Sequence, residues 1–167
     1  MRSNPPPALL TFLRFLTLAL TVSASACVEI DGGAVEVSWV IRSPSGAGIT
    51  DCACADPAIA TVRLVLRGVG GTIDGATPCA GRAQCDFPCQ RQTGATPFDI
   101  QETQPGERYE VSVVAVADGM ELPQVTTPAP ILREVVRAQP TEVESFQLVA
   151  ACAVECGMNT SGVCARP

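Results

Sequence analysis

The side chains able to do chemistry in this chain are thiols and carboxylates, for it has nine cysteines and no histidine. Without an imidazole, the Ser-His-Asp and Cys-His sets of nucleophilic catalysis cannot be assembled. The cysteines are Cys27 near the start, a central group of Cys52, Cys54, Cys79, Cys85 and Cys89, and a tail group of Cys152, Cys156 and Cys164. Cys85-x3-Cys89 and Cys152-x3-Cys156 could grip a soft ion such as Cu(I) through thiolates. Zinc sites usually use a tighter Cys-x2-Cys or include His, and the redox Cys-x-x-Cys spacing is absent. A disulfide framework is therefore expected, with no metal and no cofactor. Both groups hold an odd number of cysteines. If all eight pair internally, at least one bridge must join the tail to the centre. Cys52 and Cys54 are too close along the chain to bond each other without strain, so each is expected to find a distant partner.

The carboxylates Asp51, Asp56, Asp74 and Asp86 fall near the cysteine-rich stretch. Two acids can act as general acid and base in a hydrolase when a cleft holds them at a fixed separation. Nothing in this spacing imposes that, and solvated loop acids are expected. The same acids with Glu29 and Asp31 could attract Ca²⁺, but no loop follows an EF-hand pattern. Gly68 to Gly75 lacks the Lys-Ser/Thr of a P-loop and is expected to be a hairpin connection. Asn159-Thr160-Ser161 matches a glycosylation sequon, which carries no chemistry of its own. Trp39 is expected in the core.

The start of the chain is organised for export. A polar and then mixed segment ends in Arg14, an uncharged apolar run Phe15–Val22 follows, and then come Ser23-Ala24-Ser25-Ala26 and Cys27. A positive start, a short apolar centre and small residues at the cut define a secretory signal over residues 1–26. A spanning helix would need roughly 20 apolar residues, and Arg14 interrupts the run well short of that. Ala24-Ser25-Ala26-Cys27 resembles the lipobox of bacterial lipoproteins. That resemblance implies a diacylglyceryl thioether on the Cys27 thiol and an amide-linked, palmitate-type chain on its nitrogen. Two or more acyl chains anchor a protein stably where one does not. Lipidating Cys27 also leaves an even number of cysteines to pair. Val28 follows instead of Asp, so the inner-membrane retention signal of some lipoproteins is missing and the outer membrane is favoured. Plain secretion after cleavage at the same bond is the alternative.

The part after Cys27 is the size of one domain. Aromatic residues are only 4% of the chain, so the core must be built from Val, Leu, Ile and Ala, and disulfides offset the shortfall in buried area. Every cationic side chain is Arg; nine of them face 17 acids once the first 26 residues are removed, a net charge of −8. An acidic surface repels phosphate backbones, which excludes nucleic acid as a partner.

Strands are needed to position these groups, and their period is plain. Val35, Val37, Trp39 and Ile41 share one face; so do Val62, Leu64 and Leu66, and Tyr109, Val111, Val113 and Ala115. Alternation with one apolar face marks a half-buried strand. Weaker strands are expected at Pro97–Gln101, Ile131–Ala138 and Val143–Ala150. Turns separate them at Ser43-Pro44-Ser45-Gly46, Gly70-Gly71, Asp74-Gly75, Pro105-Gly106 and Asp118-Gly119. No capped 3.6 period is present, so an all-β antiparallel sandwich with little helix is expected. The expected organisation is a signal (1–26), a lipidated Cys27 with a short tether (27–34), and a sandwich (35–150) carrying a cysteine-rich insertion at about 68–97. A cysteine-rich tail (151–167) packs on the domain.

Val35-Glu36-Val37-Ser38-Trp39 resembles the second strand of a fibronectin type III domain, and Val62-Arg63-Leu64-Val65-Leu66 the third. Pro105-Gly106-Glu107-Arg108-Tyr109-Glu110-Val111 is similar to that family's entry into its sixth strand. The resemblance implies an immunoglobulin-like sandwich in which the Tyr109 hydroxyl bonds back to nearby backbone. Other immunoglobulin-like and transthyretin-like sandwiches use similar Pro-Gly-Tyr turns. The layout also resembles lipoproteins of myxobacteria, where a Cys precedes the third strand (here Cys54) and an aromatic-x-Cys follows it (here Phe87-Pro88-Cys89). That resemblance implies a Cys54–Cys89 bridge. The expected function is non-enzymatic: an envelope-anchored structural or interaction module, held to the membrane by lipid and partnered by other envelope proteins or peptidoglycan. A small-ligand or copper binder and a secreted hydrolase with paired carboxylates are the alternatives.

Overall fold

The structure, a computed structural model, describes residues 30–166. The expectations for the signal and for Cys27 lie outside the described residues.

The alternating segments form the three long strands, because each can bury one face and leave the other in water. In β1 (Ala34–Arg42) the buried positions include Val35, Val37, Trp39 and Ile41. β10 (Pro140–Glu142) and β6 (Thr93–Ala95) flank its first half; Glu36 pairs with Glu142 in parallel and with Ala95 in antiparallel register. β11 (Phe146–Val149) and β2 (Gly48–Ile49) flank its second half in the same way. The second sheet is built on β4 (Thr61–Val69) and β7 (Arg108–Ala117), paired antiparallel from Thr61↔Val116 to Val69↔Arg108. β5 (Asp86–Pro88) lies along β4, and β8 (Met120–Glu121) and β9 (Ile131–Arg133) lie along β7. The described helical turns are all short 3₁₀ pieces. The protein is thus all-β, with mostly antiparallel pairing.

Inward side chains of both sheets join in one core. At its centre Trp39 stacks on Phe87, with ring centroids 6.3 Å apart, and its Nε1 donates to the Cys89 carbonyl at 3.1 Å. Gly94 on β6 is required here, since a Cβ would run into the Phe87 ring.

The weaker strand expectations need correction. Pro97–Gln101 is a turn in which the Asp99 N–H donates to the Pro97 carbonyl, leaving only an isolated bridge from Ile100 to Gly33. Ile131–Ala138 is strand only to Arg133, because the Val135 N–H and C=O both bond Thr103 instead of a neighbouring strand. Val143–Ala150 shortens to Phe146–Val149. The stretch at 68–97 supplies β5 to one sheet and β6 to the other.

The tail is bound edge by edge. β12 (Ala151–Cys152) pairs with β3 (Ala55–Asp56), while β13 (Gly157–Met158) and β14 (Val163–Ala165) form a hairpin. β14 then adds to β2 in parallel.

Candidate functional site

Eight sulfurs are paired in four disulfides: Cys52–Cys89, Cys54–Cys156, Cys79–Cys85 and Cys152–Cys164. One bridge, Cys54–Cys156, joins the tail to the centre, as parity requires. The expected Cys54–Cys89 pairing is corrected: Cys89 bonds Cys52, and Cys54 bonds Cys156. A 3₁₀ turn over Cys52–Cys54, capped by the Asp51 carboxylate on the Ala53 N–H, separates the two cysteines. Cys52 has its Cα 6.1 Å from that of Cys89. On the other side, the Ala153 N–H donates to the Cys54 carbonyl and draws the tail alongside, which puts the Cys156 Cα 5.6 Å from Cys54. Cys85 and Cys89 belong to different bridges, as do Cys152 and Cys156, so neither Cys-x3-Cys pair offers thiolates. Among the described residues no group of three or more His, Cys, Asp and Glu side chains could hold a metal ion.

The four central acids do not converge on a catalytic pair; three of them have local partners. Asp51 caps the turn and also accepts from Gln90 Nε2 at 2.8 Å. Asp74 accepts the Gly70 N–H and closes the glycine-rich loop. Asp86 meets Arg63 with two bonds, Nε–Oδ1 at 2.7 Å and Nη2–Oδ2 at 3.1 Å. Asp56 lies in β3 against the tail. The bond to Asp86 raises the Arg63 pKa above its ordinary value.

Two clefts open beside these groups. One of about 470 Å³ lies between the outer face of β4 and the loop closed by Cys79–Cys85, with Arg63, Val65, Thr77, Arg82 and Glu121 on its walls. A wider one of about 770 Å³ runs between Pro57–Ala60 and Ala117–Gln124. Neither is lined by a nucleophile set beside a base.

Among the described residues the buried carboxylate is Glu107. It accepts from the Thr72 N–H and hydroxyl and from the Gln104 N–H, tying the β4–β5 loop to the entry of β7. Gly71 must be glycine here, with φ +57° and a Cβ position that Glu107 occupies. These backbone bonds hold the carboxyl below its ordinary pKa, with burial opposing them. The Tyr109 hydroxyl makes no bond to backbone among the described residues, contrary to the corner implied by the resemblance. The ring is buried, burial and the nearby Glu107 charge raise its pKa, and Glu107 does the fastening that the hydroxyl was expected to do.

A depressed carboxylate stabilises the fold above its unfolded pKa and loses that contribution as pH falls through the folded value. Acidification below about pH 4 should therefore loosen the Gly70–Asp74 loop in the wild type. Glu107→Gln, whose amide does not titrate, should show a smaller loss between pH 7 and pH 3. Melting curves across that range check the difference, and equal pH slopes for the two proteins would count against it.

No family model, curated protein or solved structure matches the chain.

Proposed function

We propose that this chain is an exported bacterial lipoprotein, anchored through Cys27 in the cell envelope, whose domain is a non-enzymatic interaction or structural module. The observation that carries the proposal is sulfur accounting. Of nine cysteines, eight are joined in pairs, and Cys27 alone is left over, directly after the small-residue run Ser23–Ala26. An odd cysteine in an exported protein needs a separate fate, and acylation supplies one. Four disulfides also favour an oxidising compartment outside the cytosol.

The finer fold reading is an immunoglobulin-like or fibronectin type III-like sandwich, stapled by disulfides. It is supported by the long β4–β7 ladder, formed by the two segments likened to that family's third and sixth strands. The parallel run of β10 and β11 beside β1 is this chain's departure from that pattern. A domain of this kind offers strand edges and loops to other envelope proteins or to peptidoglycan. The outer membrane is the favoured address, since Val28 stands where a retention Asp would.

Cys27→Ala is the direct test. The native protein should sediment with membranes and enter the detergent phase. The variant should be cleaved by ordinary signal peptidase or stay as precursor, and should carry no acyl chain. If it kept the same acylation and the same detergent partition, the anchor would not be at Cys27.

A further inference from the structure

The first described residues do not form a free tether. The Gly33 N–H donates to the Ile100 carbonyl at 2.8 Å, and the Ile100 N–H returns a bond to Gly33. The Ala138 N–H donates to the Gly32 carbonyl, and Arg137 Nε donates to the Ile30 carbonyl at 3.0 Å. Residues 30–33 are thus laid between segment 98–100 on one side and segment 136–138 on the other. Both glycines are required by the fit. A Cβ on Gly32 would strike the Ile100 carbonyl, and one on Gly33 would strike Val135 and the Val136 carbonyl. Of the short tether expected from sequence (27–34), residues 30–33 are therefore fastened to the domain.

Large apolar side chains are exposed on the three segments that meet here: Ile30 (38%), Phe98 (42%) and Val136 (50%). The other described phenylalanines, Phe87 and Phe146, are buried, so the exposure of Phe98 is a property of this site. The charges beside it are matched in pairs, Arg137 with Asp31 at 3.4 Å and Arg82 with Asp99 at 2.8 Å. A surface whose charges are internally neutralised is suited to a zwitterionic layer more than to an anionic one.

We infer that this end of the domain, with Phe98, Val136 and Ile30 foremost, rests in the interface of the bilayer that holds the Cys27 lipid. The inference presupposes that anchor. Three residue steps separate Cys27 from Ile30, a reach of at most about 11 Å. Interfacial apolar groups sit about 5–10 Å into the headgroup and acyl boundary, so the tether forces the patch to the depth at which burying it is favourable. The opposite end of β1 carries the tail, where Ala150 bonds Arg42 and Ala153 bonds Cys54. A nine-residue strand is about 30 Å long, which keeps that end, including the exposed Val154, away from lipid.

The test uses the full chain, processed in cells and reconstituted into phosphatidylcholine vesicles whose acyl chains carry bromine, a short-range quencher of indole fluorescence. Phe98→Trp and Val154→Trp each add a second indole to that of Trp39, and subtraction of the wild-type signal isolates it. Both sites are exposed, so neither change disturbs the core. The expected result is loss of most of the added emission for Phe98→Trp and almost none for Val154→Trp. Intact mass of the same samples separates the two ways of failing. A protein without acyl chains overturns the anchor, and this inference with it. An acylated protein in which Phe98→Trp is quenched no more than Val154→Trp overturns the docking alone, and leaves the patch to a protein partner.

Discussion

Replacing both Cys54 and Cys156 by serine should lower stability by about 4 kcal/mol and the melting temperature by about 15 °C. The bridge spans 102 residues, and Cys52–Cys89 provides a short cut across part of that loop, leaving about 70 residues to be closed in the unfolded chain. Loop entropy grows with the logarithm of length, so the short cut removes only a few tenths of a kcal/mol. Serine at both positions avoids a stray thiol that could reshuffle the others. Cys79 and Cys85 are six residues apart, and their removal should cost only about 2 kcal/mol. The ranking is the sharper test. Thermal melts of the two paired variants should show the long-range pair as clearly the more damaging. The long-range variant should also lose amide protection in β12 and β14, because the tail pairs with short strands and has little other purchase. Equal melting temperatures for the two variants would mean that the tail bridge does not constrain the chain in this way.

Trp39→Ala should destabilise the domain by about 4–5 kcal/mol, at the upper end for an aromatic truncated in a core. The side chain is 1% exposed, stacks on Phe87 and satisfies the Cys89 carbonyl. Truncation removes the ring contacts, opens a void between the sheets, and leaves that carbonyl without its donor. Few large rings stand nearby to collapse into the gap, because aromatic residues are scarce throughout. Trp39→Phe keeps most of the packing and loses the hydrogen bond, so about 1–2 kcal/mol is expected. Since Trp39 is the single tryptophan, the unfolding signal must be far-UV circular dichroism. Urea midpoints should fall in the order wild type, Phe, Ala, at an unchanged slope. An Ala variant as stable as the Phe variant would place the weight of the core elsewhere.

Strands β1, β4 and β7 were legible in the sequence because their apolar residues alternate over five to seven positions, long enough to dominate local preference. β6 was not, since Thr93-Gly94-Ala95 has no apolar face; it is a strand because Gly94 lets the backbone close over Phe87. Val135 and Ile100 read as strand residues from their apolar character, yet they are buried from loops, which sheet periodicity cannot distinguish. For the cysteines, parity gave the link between tail and centre. Individual partners were beyond it, because Cys52 and Cys54 are two residues apart and only the path of the tail past Cys54 decides between them. Glu107 did leave a signal. It lies two residues before Tyr109, in phase with the inward face, and a carboxylate in that phase must be bonded if it is buried.

Intact mass of the membrane-extracted protein reads directly whether Cys27 is acylated while the other eight cysteines are disulfide-bonded. The predicted species begins at Cys27, carries a diacylglyceryl group and an amide-linked acyl chain, and takes up no alkylating reagent until it is reduced, after which eight thiols react. A chain that still carries Met1, or one that exposes free thiols before reduction, would contradict it.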